Sequence, residues 1–425
     1  MPWDKTRCAY RRLLAPAWVL GCMALCAGCS SAGSAASDVV DAMADSVPDS
    51  VAGDLAPADV PVALPTAAEI LQAGPYGVGT LTLDLEDKTR PTPDSDTLAG
   101  TNSRLLSTAV WYPTVPTGAP AGATPGAPQA QGGPWPLIAY AHGFFSFNVE
   151  NEDLAILLAS YGFVVAAPLF PLTNIGTSGG PNAADVVNQP GDMKFVIDSM
   201  LASSADPSNL LYGMVDPARI GVMGVSLGGL TSVLTGFHAT LRDPRVKAVA
   251  AAATPGCYLP ADFFQIVDLP LQLLHGTRDW IIPYAANGPP LYAEAQAPKT
   301  FVTFQGGTHA GMAGLAKAVL EKTNSDQVGC DTLVDNTTVT PEALATLSQQ
   351  FGGKPYADAL AQCPTICGAK ADTEPAMNID RQLRIVTLSA ASFFRSVLGG
   401  DAGSGRFLRE GLALEGSDLT VEQVQ

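Results

Sequence analysis

Ile220–Gly229 reads IGVMGVSLGG, and the fold turns on how this stretch is interpreted. Ile220–Met223 is a short apolar run of the kind that forms a buried strand. Gly224-Val225-Ser226-Leu227-Gly228 fits the pattern G-x-S-x-G. The apolar run from Leu230 to Phe237 reads as a helix. Strand, sharp turn and helix together hold a serine at the tip of a strained turn, with its hydroxyl exposed. Gly224 and Gly228 lack side chains, so strand and helix can approach closely enough to make that turn. A glycine-rich turn whose serine only caps a helix is the plainer alternative.

Outward from this stretch, strand and helix patterns alternate. On the N-terminal side, Tyr76 to Leu85 and Leu105 to Tyr112 read as strands. Residues 114–134 are Pro, Gly, Ala and Thr with few large side chains, and read as an exposed loop. Leu137 to Ala141 is a short strand ending in His142-Gly143-Phe144. Leu154, Leu157, Leu158 and Tyr161 recur at helical spacing. Phe163 to Ala167 is another strand, and residues 171–190 a loop that passes into a helix near Val196 and Met200. On the C-terminal side, Val246 to Ala251, Leu271 to Leu274 and Thr300 to Phe304 are strands, the last of the series. Such alternation predicts an α/β protein with a mostly parallel central sheet and helices on both faces. The first two strands are separated only by a turn and predict an antiparallel edge. Residues 313–377 break the pattern and read as a cysteine-containing insertion. Within it, Thr340 and Pro341 form a helix start. Leu383, Val386, Ala390, Phe393 and Val397 then mark a final helix packed on the sheet.

A serine hydroxyl is a poor nucleophile near neutral pH and needs a base, itself oriented by a third group. The chain has 4 histidines, so the search is short. His142 and His275 each end a strand before a glycine and read as structural, bonded to nearby backbone. His238 lies just past the helix after Ser226 and reads as a surface residue. His309 follows the last strand in Gln305-Gly306-Gly307-Thr308-His309-Ala310-Gly311, a flexible setting from which a ring can reach across the strand ends. It is the expected base. Asp279 lies after the preceding strand and is the expected orienting acid, whereas Asp268 precedes that strand and lies at the wrong end. Ser226, Asp279 and His309 stand in Ser…Asp…His order. The N–H groups of Leu227 and Phe144 are the expected oxyanion donors. Phe145, Tyr258 and Trp280, with Leu169 and Phe170, are candidate walls of an apolar acyl site. This chemistry requires neither cofactor nor metal.

These residues resemble the α/β-hydrolase superfamily. The resemblance is to the branch with bacterial cutinase-like polyester hydrolases, plasma-type platelet-activating-factor acetylhydrolases and dienelactone hydrolases. It is carried by YAHGFFSF, LASYGFVVAAP, ARIGVMGVSLGG, LHGTRDWIIP and FQGGTHAG, across roughly residues 76–312. It implies an α/β-hydrolase fold, and it carries the triad and oxyanion roles onto Ser226, Asp279, His309, Phe144 and Leu227. It departs from the polyester hydrolases at Ala253-Thr254-Pro255-Gly256-Cys257-Tyr258, where they usually place a Trp. It departs again in the long segment after His309.

The N-terminus has the composition of an export signal. Lys5, Arg7, Arg11 and Arg12 precede the mostly apolar run Leu13 to Leu25, which Pro16 interrupts and which is too short to span a membrane convincingly. Ala27-Gly28-Cys29-Ser30 resembles the end of a bacterial lipoprotein signal, with Cys29 as the lipidated residue. Val19-Leu20-Gly21-Cys22 is a competing site, and plain secretion the other alternative. Residues 29–65 are rich in Ala, Ser, Asp and Pro, contain no Lys or Arg, and read as a disordered tether. The Asp spacing fits no calcium loop. Cys257, Cys330, Cys363 and Cys367 remain in the mature chain. In an exported protein they point to two disulfides, with three connectivities open. A zinc site lacks paired C-x-x-C motifs. The net charge of -17 and the absence of an extended basic stretch argue against nucleic acid as a partner.

The domain plan is a signal at 1–28, a tether at 29–65, a hydrolase core at 66–312, the insertion at 313–377, and a final helix and tail at 378–425. The expected activity is serine-dependent hydrolysis of short to medium acyl esters by an exported protein, held at the cell envelope through an N-terminal lipid anchor. A phospholipase A2-type acetylhydrolase, a polyester hydrolase, a peptidase or a cofactor-free perhydrolase would use the same constellation. A catalytically idle surface binding module is the reading from another class, and the complete set of partners argues against it. The oligomeric state is open.

Overall fold

The computed structural model describes residues 63–95, 99–116, 122–296, 298–314, 324–336, 349–351, 363–364, 366–368 and 375–425. The signal, Cys29, nearly all of the tether, and Thr340 with Pro341 lie outside them. The strands are β1 (Gly77–Asp87), β2 (Arg104–Thr114), β3 (Ala123–Pro125), β4 (Trp135–Ala141) and β5 (Val164–Pro168), then β6 (Val215–Val225), β7 (Val246–Ala252), β8 (Leu271–Gly276), β9 (Lys299–Phe304) and β10 (Leu419–Val424). They form one sheet in the order β10-β9-β8-β7-β6-β4-β5-β2-β1-β3. The run from β5 through β4, β6, β7 and β8 to β9 is parallel. β2 pairs antiparallel with both β5 and β1, which is the expected mixed edge.

The buried central strands are Val-, Leu-, Ile- and Ala-rich on both faces, as a sheet covered on two sides requires. α1 (Ala67–Leu71) precedes β1; α2 (Glu152–Ser160), α3 (Gln189–Ala205), α4 (Leu227–Phe237) and α5 (Tyr284–Glu294) are the crossover helices; α6 (Asp326–Asn336) lies in the insertion, and α7 (Ile379–Val397) returns after it. One face buries side chains of α2 and α7, including Leu154, Ile385 and Phe394. The other buries those of α3, α4 and α5, including Met193, Leu230 and Leu291, together with Phe351 of the insertion. β2 is fastened by Arg104 to the first turn of α3 and to the turn just before it. Its fully buried guanidinium lies 2.8 Å from Asp185 and 2.6 Å from Asp192.

Several expectations are corrected. Thr300–Phe304 is not the last strand, because β10 pairs antiparallel with β9 and closes the edge. Residues 114–134 are not simply an exposed loop. β3 lies against β1, and the Tyr112 hydroxyl donates to Ala127 O at 2.8 Å. In α7, Val386, Ala390 and Phe393 are buried as expected, but Leu383 is half-buried and Val397 exposed, and Ile385, Leu388 and Phe394 complete the buried stripe. His238 is buried, because its Nδ1 accepts the N–H groups of Thr240 and Leu241, both at 3.1 Å, at the end of α4.

Candidate active site

Ser226 sits between the end of β6 and the first residue of α4 with φ 57 and ψ -120. A left-handed φ is costly for a residue with a β-carbon and persists only where the surroundings enforce it. Here Ser226 N donates to Ala252 O at 2.8 Å, and Leu230 N donates to Ser226 O at 3.0 Å. A β-carbon on Gly224 would lie 2.2 Å from Gly228 O, and one on Gly228 would lie 2.0 Å from Ala141 O. The turn is therefore packed backbone against backbone with no room for side chains.

Asp279 and His309 follow β8 and β9, as Ser226 follows β6. Since these strands run parallel, all three residues stand at the same carboxyl edge of the sheet. His309 Nδ1 lies 2.8 Å from Asp279 Oδ2. Asp279 Oδ1 accepts the N–H groups of Ile281 at 3.0 Å and Ile282 at 2.6 Å. A carboxylate partner assigns the proton to Nδ1 and leaves Nε2 of His309 as the free acceptor. Burial pushes the Asp279 carboxyl up, but the charge of His309 and bonds from His275 and His309 bring it below the usual carboxylate range. Burial pulls the His309 ring down. Asp279, through its charge and its hydrogen bond, and the charges of Asp326 and Glu150 push it up, and the net position is above an ordinary imidazole. The loop carrying His309 is also pinned by Gln382 of α7, whose amide bonds both Thr308 N at 3.0 Å and Thr308 O at 2.7 Å.

His142 and His275 play structural roles. His142 Nδ1 lies 2.8 Å from Gly143 O, and its Nε2 accepts Phe170 N–H at 3.1 Å. Full burial drops its pKa to about 4, so the ring is neutral. His275 Nε2 lies 2.8 Å from Ile282 O and 3.3 Å from Asp279 Oδ2, so it also braces the acid.

The loop after β4 lies against the serine: a β-carbon on Gly143 would stand 3.6 Å from Ser226 Cβ. Phe145 has φ 61, and its N–H donates to Thr173 O at 2.9 Å. Neither Phe144 N–H nor Leu227 N–H donates to an acceptor among the described residues. Leu227 N–H is one of the orphan donors of a helix N-terminus. Sequence reasoning missed what holds this loop. Glu150 is 2% exposed and accepts Gly143 N–H at 3.1 Å, the Tyr140 hydroxyl at 2.8 Å and the Ser146 hydroxyl. Burial pushes its carboxyl up to about 7, against those hydrogen bonds. A relay also joins the loop to α4. Thr231 bonds Gln189 Oε1, and Gln189 Nε2 donates to Thr173 Oγ1 at 2.8 Å.

Among the candidate walls, Phe145 and Leu169 are half-buried. Phe170 is fully buried against the His142 ring, at 4.9 Å between centroids, and offers no surface to a ligand. Tyr258 is nearly buried, which pushes its hydroxyl up to about 12. Trp280 packs in a small cluster with Ile281, Ile282 and the Cys330–Cys367 bridge.

The disulfides are Cys257–Cys363 and Cys330–Cys367, with Cα–Cα distances of 5.5 and 5.7 Å. The first ties the insertion to the loop after β7, which is buried from Ala253 to Leu259. The second closes within the insertion, between α6 (Asp326–Asn336) and the residues before α7.

Residues 107–325 match the PET hydrolase-like family. That is just over half of the chain, which therefore belongs to this family of ester hydrolases. Among curated proteins none matches. A solved structure of a ferulic acid esterase from Streptomyces cinnamoneus is similar in fold. The two chains share 20% identity, the match covers 83% of this chain and 98% of that one, and the TM-score is 0.52.

Proposed function

We propose that this member of the PET hydrolase-like family is an exported serine ester hydrolase acting on short to medium acyl esters. Ser226 Oγ attacks the ester carbonyl while His309 Nε2 takes its proton, and Asp279 holds the ring and its developing charge. The carbonyl oxygen becomes an oxyanion that receives the N–H groups of Phe144 and Leu227. The protonated His309 then gives its proton to the leaving alcohol, which leaves Ser226 acylated. Water, deprotonated by His309, attacks the acyl group, and the acid departs as Ser226 regains its proton.

The observation that carries this reading is the buried His309–Asp279 pair, 2.8 Å apart, at the strand edge where Ser226 occupies a left-handed turn. Phe145 would supply apolar surface to the acyl group, over a floor of Tyr258 and Trp280. Hydrolysis of nitrophenyl esters from C2 to C8, abolished in Ser226→Ala, tests it.

A solid polyester as substrate is the second reading, favoured by the family match. The buried loop from Ala253 to Leu259 and the disulfide that ties it to the insertion argue for soluble esters instead. The two disulfides fit an oxidising compartment outside the cytoplasm. Within that compartment, lipidation at Cys29 would tether the enzyme to a membrane through the Asp-rich segment.

A further inference from the structure

Among the described residues of the insertion, Asp326 reaches both sides of the Asp279–His309 pair. Asp326 opens α6 and is fully buried. Its Oδ2 accepts Trp280 N–H at 3.0 Å and His309 N–H at 2.9 Å, and its Oδ1 accepts Ala310 N–H at 2.7 Å. Trp280 follows Asp279 directly, and His309 is the base itself. A single side chain therefore grips the backbone on both sides of the Asp279–His309 bond. The grip is itself held. Asn324 Oδ1 accepts Asp326 N–H at 2.9 Å, and Ser325 and Thr308 hydroxyls lie 2.7 Å apart. Cys367 N donates to Trp280 O at 2.8 Å, and Cys367 is bridged to Cys330 on α6. Trp280 is thus bonded by the insertion through both its N–H and its carbonyl.

We propose that Asp326 is a positioning residue, through which the disulfide-stapled insertion fixes the acid and base of the ester hydrolase relative to each other. The inference rests on the triad reading above. It gives the insertion a role in the reaction itself, beyond the choice between soluble and polymeric esters. A carboxylate is suited to it because it can accept several N–H bonds at once with no competing donor. The carboxylate also acts on His309 through its charge. The charged groups that face His309 are Asp279 from the loop after β8, Glu150 from the loop after β4, and Asp326 from the insertion. Anionic Asp326 favours the protonated ring, so its removal leaves His309 easier to deprotonate.

The test is Asp326→Asn in the full chain, with Ser226→Ala run beside it. Asparagine keeps the shape but turns a donor toward an N–H group. The kcat for a soluble nitrophenyl ester should fall roughly 10- to 100-fold with KM little changed, as expected for a misplaced catalytic group. The acid limb of the pH–rate profile should move to lower pH, which a purely structural loss would not produce. Asn324→Ala, a milder change that loosens only the presentation of Asp326, should lower kcat several-fold in the same sense. Wild-type kcat in either folded variant, or a fall in Asp326→Asn with the acid limb unmoved, would overturn the proposal. An active Ser226→Ala would instead show that the triad reading itself has failed.

Discussion

His309 Nδ1 lies 2.8 Å from Asp279 Oδ2, and the Asp279 side chain has no exposed surface. A carboxylate so placed holds the ring by its neutral tautomer and stabilises the imidazolium that forms when the ring takes a proton. Asp279→Asn reverses the tautomer preference, and kcat should drop by about 10⁴-fold with the fold intact, as in other triads.

The same pair sets the pH dependence. As the proposed base, His309 would act only when neutral, and its pKa is raised above 6.5 because Asp279, Asp326 and Glu150 outweigh the effect of burial. Ester turnover should therefore climb with pH through a midpoint above that of a free imidazole. A kcat/KM profile whose acid limb lies below pH 6.5 would contradict this assignment.

Glu150 gives a prediction of opposite sign for stability. Its carboxyl is raised from 4.5 to about 7, so the folded chain holds a proton there that the unfolded chain has released. The stability this contributes is present below pH 4.5 and is lost as pH rises through about 7. Glu150→Gln keeps the acceptor for Gly143 and Tyr140 and cannot ionise. Relative to wild type, it should gain stability between these pH values, on the order of 3 kcal/mol at most. Paired melts at pH 4.5 and pH 8 check this, and equal differences at both would refute it. Glu150→Ala, by contrast, frees the loop carrying Phe144 and should cost roughly 10²-fold in kcat.

The Cys257–Cys363 bridge spans 106 residues and ties the insertion to a buried loop. Replacing both cysteines by serine should cost about 2–4 kcal/mol of stability. It should also broaden chain-length tolerance toward longer acyl esters before activity is lost. A chain-length profile identical to wild type would show that the bridge does not control access.

If Cys29 carries lipid, the exported protein partitions into detergent, and Cys29→Ser returns it to the aqueous phase. Intact-mass spectrometry should show a mature chain beginning at Cys29 with added acyl mass. A chain that begins elsewhere, without that mass, would reject the anchor.

The sequence made the plan of the sheet and the positions of Ser226, Asp279 and His309 legible for one physical reason. Each follows an apolar strand, Ser226 and His309 in glycine-rich turns and Asp279 just past Gly276, and the structure places each near its strand end. Glu150 was not legible, because it stands among Glu152 and Asp153, which are ordinary acidic residues at a helix start. Asp326 was hidden for a related reason: its three N–H partners come from loops 16 to 46 residues away. β10 alternates in burial, but six residues at a chain end carry too little pattern to separate a strand from a tail. His238 escaped because a ring nitrogen accepting two backbone N–H groups is a local fold that periodicity does not report.

The most direct measurement is labelling with a fluorophosphonate, followed by peptide mapping and ester assay on the same sample. The account predicts one adduct, on Ser226, with turnover lost in proportion to labelling, and a Ser226→Ala variant that is folded, unlabelled and inactive. An adduct on another residue, or a Ser226→Ala variant that turns over esters at the wild-type rate, would contradict it.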